Sequence, residues 1–177
     1  LLFAGTSGNE VEVRRLETAE KIDTPGKHRG FVTSLDLSPD GSILASAGPG
    51  GLILLWKTDD FSLLRRIDVQ GSAVTTIAWH PDGTMIAAGS EEREPLLFDS
   101  ITGKAVMTFS GFDRVVNTID LSPDDTQICL GGNGPEIILW NIPALKPDRI
   151  IQGDSWPVFS LVRSEEHTSE LQSPSAI

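Results

Sequence analysis

The sequence predicts an all-β chain made of a repeated unit of short antiparallel strands. The first observation behind this is a segment that returns every 42 residues, opening each time on a valine: Val32, Val74, Val116 and Val158. The second is a turn signal that follows the segment, in which Pro presets φ and Asp-Gly accepts the positive φ that comes next. Self-similarity at a fixed period of this length is typical of repeat architectures.

Within one unit, each strand is justified by its apolar residues and by the turn that ends it. The first strand takes its apolar side from Val32, Leu35 and Leu37, and Ser-Pro-Asp-Gly at 38–41 turns the chain. The second strand is predicted at 43–47, the third at 52–56 and the fourth at 63–69. The connections are too short for the crossover that parallel strands need, so the sheets are expected to be antiparallel.

The repeat covers most of the chain. Leu55-Trp56, Leu97-Phe98 and Leu139-Trp140 recur at the same 42-residue period near the end of the third strand. We expect repeat units at 1–31 (partial), 32–73, 74–115, 116–157 and 158–162 (partial). The prediction is therefore nearly four four-stranded units, cut within a unit at both ends.

These residues resemble a known family. A 42-residue period, four strands per period, an S-P-D-G turn and a closing Leu-Trp are similar to WD-repeat (WD40-type) β-propellers, whose repeats each form one four-stranded blade. The resemblance covers residues 1–162 and implies a propeller fragment that forms an open arc rather than a closed ring. It also implies a structural tetrad of His, Ser or Thr, Asp and Trp in each blade.

The tetrad is incomplete in every unit. The best unit has His28, Ser46 and Trp56, with Gly50 in place of the Asp. The next has Ala88 and Phe98, and the one after has Phe112, Leu130 and Trp140. The first partial unit has Arg14 in place of the Trp. We expect His28, Ser46, Trp56 and Trp140 to have structural rather than chemical roles.

The end of the chain departs from the repeat. Position 163 should be apolar by period but is Arg163, and 165–167 hold Glu-Glu-His where Pro-Asp-Gly is expected. Residues 163–173 also resemble an in-frame translation of a sequencing adapter. We therefore expect 163–177 to be a non-native, disordered tail, to be set aside in fold reasoning.

Composition excludes several functions. The 14 Lys+Arg against 25 Asp+Glu give a net charge of −11, which argues against nucleic acid and against anionic membrane surfaces. The single cysteine, Cys129, cannot form an internal disulfide or a Cys-rich zinc site. No motif for a metal, a cofactor or a catalytic pair is present, so we expect no enzyme activity and no cofactor.

The remaining function is surface recognition. In propellers of this family, the loops before the first strand and between the second and third strands form one end face where partners commonly dock. Carried over to this chain, the candidate residues on that face are Arg29, Phe31, Glu91, Glu92, Arg93, Glu94, Phe112, Asp113, Arg114 and Trp156. The aromatic ones could equally pack between blades. The acidic loop at 91–94 favours basic segments of other proteins or peptides.

The sequence thus predicts a non-enzymatic, intracellular (cytoplasmic or nuclear) scaffold for protein–protein interaction. Two alternatives stay open. The first is a recognition or sensor propeller fused to a catalytic or regulatory domain. The second is a propeller enzyme whose site lies in blades outside this sequence.

Overall fold

The computed structural model describes residues 1–22, 27–69, 71–92, 94–112, 114–124, 126–153 and 155–162, and every regular element in them is a β-strand. The strands form one three-stranded and three four-stranded sheets, each from consecutive strands in chain order. The first sheet is β1 (Leu2–Gly5), β2 (Val11–Arg14) and β3 (Lys21–Ile22). The second sheet is β4 (Ser34–Leu37), β5 (Ile43–Ala47), β6 (Leu52–Lys57) and β7 (Leu63–Asp68). The third sheet is β8 (Val74–Trp79), β9 (Met85–Ser90), β10 (Leu96–Asp99) and β11 (Ala105–Thr108). The fourth sheet is β12 (Val116–Leu121), β13 (Gln127–Gly132), β14 (Glu136–Asn141) and β15 (Lys146–Gln152).

All neighbouring strands are antiparallel, as their short connections require. In the second sheet, Ile43 pairs with Lys57 and Leu52 pairs with Asp68. The equivalent strands of the third and fourth sheets pair in the same order. The prediction of an all-β, partial and open β-propeller built from antiparallel blades is confirmed.

In the second and third sheets, the turn between the first two strands is built as its sequence predicts. Gly41 and Gly83 have φ of 73° and 75°, in the left-handed region that glycine tolerates. Asp40 accepts hydrogen bonds from the hydroxyl of Ser38 at 2.7 Å and from the backbone N–H of Ser42 at 3.0 Å. These bonds, that from Ser38 foremost, lower the pKa of Asp40 to about 2.

In the third sheet, His80 stands where the serine stands in the other two turns. Its Nδ1 lies 2.8 Å from a carboxylate oxygen of Asp82, and its carbonyl accepts a hydrogen bond from the N–H of Gly83. His80 is fully buried. It therefore holds the turn together.

Adjacent sheets pack face to face through apolar side chains. The seam between the second and third sheets buries Ile53 and Leu55 against Ile86 and Phe98. The two neighbouring seams are built in the same way, around Trp56 and Trp140 respectively. Removal of this apolar surface from water is the main force that holds the stack together.

A repeated contact fixes the spacing of each seam. Val116 of β12 packs so closely on β9 that a Cβ added at Gly89 would lie 2.6 Å from its side chain. The hydroxyl of Thr33 donates to the carbonyl of Val74 at 2.7 Å, and Thr75 makes the same bond to Val116. Each first strand is thus bonded to the sheet before it.

The same contact recurs beyond the fourth sheet. The amide of Asn117 donates to the carbonyl of Val158 at 3.1 Å, and the N–H of Val158 donates to the carbonyl of Gly132 at 2.9 Å. The N–H of Leu161 donates to the hydroxyl of Thr118 at 3.1 Å. Residues 158–161 therefore lie where the first strand of a further unit would lie.

The predicted tail at 163–177 lies outside the described residues. Within the described part of the chain, no helix is long and apolar enough to cross a membrane.

Candidate functional site

Loops from successive sheets meet at one end of the stack. The N–H of Glu91, between β9 and β10, donates to the carbonyl of Ala73 in the loop before β8 at 3.0 Å. One unit later, the N–H of Asn133 donates to the carbonyl of Val115 at 3.1 Å. The two loop types that the sequence analysis assigned to one face are therefore in contact. We call this end the loop face, and its exposed candidate residues are Arg29, Phe31, Glu91, Glu92, Arg114 and Trp156.

A buried hydrogen-bond network supports the loop face in the second sheet. The Nε2 of His28 lies 2.7 Å from the hydroxyl oxygen of Ser46, and the indole N–H of Trp56 donates to the same oxygen at 2.8 Å. All three side chains are buried, and burial lowers the pKa of His28. The loop that carries Arg29 and Phe31 is thereby fixed to the sheet beneath it.

The equivalent positions in the next two units are mostly apolar. In the third sheet, Ala88 and Phe98 are buried where Ser46 and Trp56 stand one unit earlier. In the fourth sheet, Leu130 replaces the serine, and the indole N–H of Trp140 is buried with no hydrogen-bond partner among the described residues. The ring of Trp140 instead packs edge-on against Phe109 at a centroid distance of 5.6 Å.

The aromatic candidates differ in exposure. The side chains of Phe31 and Trp156 are 52% and 78% exposed, and they lie in loops. Phe112 is only 6% exposed and lies in the core between the third and fourth sheets, because its ring fills the place that the His28 side chain has two sheets earlier. Of the two roles that the sequence left open for the aromatic candidates, the burial of Phe112 favours packing between blades.

Some of the charged candidates are exposed carboxylates, and others contact neighbouring residues through their side chains. Glu91 and Glu92 are exposed, and their backbone N–H groups donate to the carbonyl of Ala73 and the hydroxyl of Ser72 in the neighbouring loop. The carboxylate of Glu94 accepts hydrogen bonds from the N–H of Gly111 at 2.9 Å and the hydroxyl of Ser110 at 3.1 Å, so it holds a turn. Arg114 lies 3.5 Å from Glu136. Arg93 and Asp113 lie outside the described residues.

A shallow cavity of about 210 Å³ opens beside Arg114. Its walls combine apolar side chains with the Arg114–Glu136 pair, and its lining residues include Phe112, Ile138 and Ile150. Among the described residues, no group of three or more His, Cys, Asp or Glu side chains could hold a metal ion. The size and the lining of the cavity suit the binding of a side chain.

Sequence reasoning missed the residues that join the sheets. Asp36 accepts a hydrogen bond from the backbone N–H of Trp79 in the next sheet at 2.6 Å, and burial raises the pKa of its carboxyl. Thr33, Thr75 and Asn117 were also missed, although each follows a repeated valine by one position. That 42-residue recurrence of a hydrogen-bonding residue was the available signal.

A stack of four-stranded antiparallel blades, joined by a repeated seam and presenting loops at one end, defines a β-propeller repeat protein. The chain also matches two family models, "WD domain, G-beta repeat" over residues 20–57 and "Anaphase-promoting complex subunit 4 WD40 domain" over residues 55–124. The chain belongs to the WD-repeat family. Proteins built from these repeats are in general interaction scaffolds and are generally non-catalytic.

Curated relatives match over shorter stretches. The chain is 33% identical to Actin-interacting protein 1 of Drosophila melanogaster over 113 residues, which cover 62% of this chain and 19% of that protein. It is 31% identical to Small ribosomal subunit protein RACK1y of Oryza sativa subsp. japonica over 67 residues, 38% of this chain and 20% of that protein. It is 40% identical to Small ribosomal subunit protein RACK1 of Candida albicans over 43 residues, 24% of this chain and 14% of that protein. The matched stretches thus span a fifth or less of these relatives.

Proposed function

We propose that this protein is a non-enzymatic scaffold that binds other proteins or peptides through its loop face. The observation that carries the proposal is the convergence of loops from successive sheets at one end, held by the backbone bonds of Glu91 and Asn133. Rigid sheets keep such a face in place while its loops are free to vary in sequence.

The chemistry of the loop face favours a basic segment with an apolar side chain. Glu91 and Glu92 are exposed carboxylates in the loop between β9 and β10, and the net charge of the chain is −11. Opposite charge steers a partner to such a surface and fixes its orientation. Exposed Phe31 and Trp156 offer apolar contacts of the kind that anchor interfaces, and Arg29 and Arg114 are exposed as well.

The same charge argues against nucleic acid and anionic membranes as partners, since both need clustered basic side chains. The names of the relatives refer to actin and to the small ribosomal subunit, and this supports our proposal of an intracellular, cytoplasmic or nuclear, location.

The experiment measures binding of a fluorescein-labelled Lys/Arg-rich peptide by fluorescence anisotropy, with a Glu-rich peptide of equal length as the negative probe. The variant E91K/E92K reverses two charges on the loop face. Glu17 and Glu20 lie in the turn between β2 and β3, at the opposite end of the stack, so E17K/E20K is the matched control.

Loss of two exposed charge pairs at ~0.5–1 kcal/mol each should weaken binding by about tenfold in E91K/E92K. The control variant should bind like the wild type, and added salt should weaken both. Equal loss in the two variants would show that only net charge matters and would refute a loop-face site. Phe31→Ala, which does not change the charge, tests the apolar contribution separately.

A further inference from the structure

The seam between the third and fourth sheets has a cavity beside a position that the seam before it fills with a buried side chain. Val69, in the loop after the second sheet, is buried in the core between the second and third sheets. The residue 42 positions later is Gly111, and a Cβ added there would meet no heavy atom within 4 Å apart from its chain neighbours. Gly111 lines the cavity of about 210 Å³. The replacement of a valine by a glycine thus leaves this seam open at its edge.

The wall of the cavity on the fourth sheet also departs from the repeat. Ile150 of β15 lines the cavity and is 56% exposed, whereas Arg66 and Thr108 hold the equivalent positions in the second and third sheets. Its strand partner Ile138 packs against the core of the seam. An exposed isoleucine beside a cavity leaves apolar surface in water that a bound side chain would cover. We call this cavity the recess, and its apolar lining is Gly111, Phe112, Ile138 and Ile150.

The recess opens at the outer edge of the loop face. Two of its lining residues, Gly111 and Gly134, belong to the two loop types that form this face, and its other wall comes from β14 and β15. A further blade would pack on the opposite face of the fourth sheet, where Ile137 and Ile151 lie. The recess would therefore stay open to water in a longer stack of blades and in a closed ring.

Among the described residues, the mouth of the recess carries more negative than positive charge. Glu136 and exposed Arg114 both line it and lie 3.5 Å apart. The carboxylate of Glu94 accepts a hydrogen bond from the N–H of Gly111 at 2.9 Å, so a second negative charge lies beside the wall. Charge complementarity steers a partner to an interface and fixes its orientation. The mouth therefore favours a basic residue next to the side chain that enters the recess.

The size of the recess determines which side chain fits. Apolar cavities of ~150 Å³ accept a benzene ring, so about 210 Å³ is enough for a large apolar side chain such as phenylalanine. Side chains of this kind anchor interfaces when they fill a pocket on the partner. We propose that the recess binds a phenylalanine or similarly large apolar side chain of a partner protein, flanked by lysine or arginine. The inference rests on the proposed function and names the side chain that the loop face selects.

The first test compares fluorescein-labelled peptides on the full 177-residue chain by fluorescence anisotropy. The probe peptide has one phenylalanine flanked by lysines. A second peptide has alanine in place of the phenylalanine, and a third has glutamates in place of the lysines. The probe peptide should bind at least about tenfold more tightly than the alanine peptide, because its ring leaves water. Equal binding of these two peptides, or tighter binding of the glutamate peptide, would overturn the proposal.

The second test changes the wall of the recess. I150T introduces the residue type that the third sheet has at this position, and it should weaken binding of the probe peptide by about fivefold with no change for the alanine peptide. I151T makes the same substitution at the next residue of β15, on the opposite face of the sheet, and should bind like the wild type. Circular dichroism checks that both variants keep the β-fold. Equal affinities of the two folded variants for the probe peptide would contradict a site in the recess.

The third test removes a carboxylate from the mouth. E136Q keeps the shape of the side chain and should reduce the preference for the lysine-flanked over the glutamate-flanked peptide by about threefold. An unchanged preference would overturn the assignment of a basic flank. If E91K/E92K weakens the probe and alanine peptides alike while I150T weakens neither, the loop face binds partners but the recess selects no side chain. If none of the peptides binds, the proposed function and this inference both fail.

Discussion

The second and fourth sheets hold equivalent places in the repeat, yet they fill the same three positions with different chemistry. In the second sheet, His28 and Trp56 both bond the hydroxyl of Ser46. In the fourth sheet, Phe112 and Leu130 stand in place of the histidine and the serine, and only the tryptophan, Trp140, remains. Its N–H is buried and has no partner among the described residues.

The difference shows that these three positions of a blade can be stabilised by a polar network or by apolar packing. Replacing only one or two residues of the network, however, leaves a buried polar group without its partner. A fully satisfied buried network adds stability and rigidity, whereas a partly satisfied one leaves an uncompensated desolvation cost. The third sheet has Ala88 and Phe98 in place of the serine and the tryptophan. The fourth sheet keeps the tryptophan, and the ring of Trp140 makes an edge-on contact with Phe109.

The largest effect should come from truncating the apolar substitute for His28. Phe112→Ala removes a ring that is 6% exposed and leaves a cavity, which should lower the free energy of unfolding by about 3–5 kcal/mol. Trp156→Ala, at a side chain 78% exposed, is the matched aromatic control and should change it by less than about 0.5 kcal/mol. Urea denaturation followed by tryptophan fluorescence and circular dichroism measures both. Equal effects at the two sites would break the distinction between a packing residue and a surface residue.

The hydroxyl at the centre of the second-sheet network should matter next. Ser46→Ala leaves the ring nitrogen of His28 and the N–H of Trp56 buried without their common partner, at a cost of about 2–4 kcal/mol. The same change made in an H28F/W56F background removes no such partner and should cost far less. If the two costs are the same, the three residues do not act as a network.

Much of this comparison could be predicted from sequence. The 42-residue period located the strands and the turns, because a repeat reports the same environment several times, and the family resemblance implied structural roles for His28, Ser46 and Trp56. The period could not distinguish a buried Phe112 from an exposed one, since a ring beside a loop can turn either way until the neighbouring sheet is in place. Nor did it show the bonds of Asp36 and Thr33, because they join residues of different units.

Trp56→Phe and Trp140→Phe are chemically identical changes in the two sheets. Both lose ring volume, but the first also takes a donor from Ser46, while the second removes a buried N–H that has no partner in the described part of the chain. Trp56→Phe should therefore be more destabilising by about 1 kcal/mol, as judged by the denaturation midpoint at an unchanged m-value. A larger loss for Trp140→Phe would mean that its contact with Phe109 outweighs the unmade hydrogen bond.

The smallest effect should be the pH dependence that the second sheet owes to its histidine. Burial lowers the pKa of His28 below its ordinary value of 6.5, so between the two values the unfolded chain binds more protons than the folded one. The free energy of unfolding should therefore fall as the pH decreases through 6.5 towards the folded pKa.

The variant His28→Gln keeps a hydrogen-bonding side chain beside Ser46 but does not titrate, so this part of the pH dependence should be absent from it. The free energy of unfolding of both proteins is measured by denaturation across this pH range, and one series is subtracted from the other. The subtraction removes the contribution of Asp36, which both proteins share. The raised pKa of Asp36 makes the free energy of unfolding change with pH in the opposite direction, above the ordinary pKa of an aspartate. An identical slope in both proteins would show that the network leaves His28 free to take up a proton in the folded chain, and the second sheet would then have no polar constraint that the fourth sheet lacks.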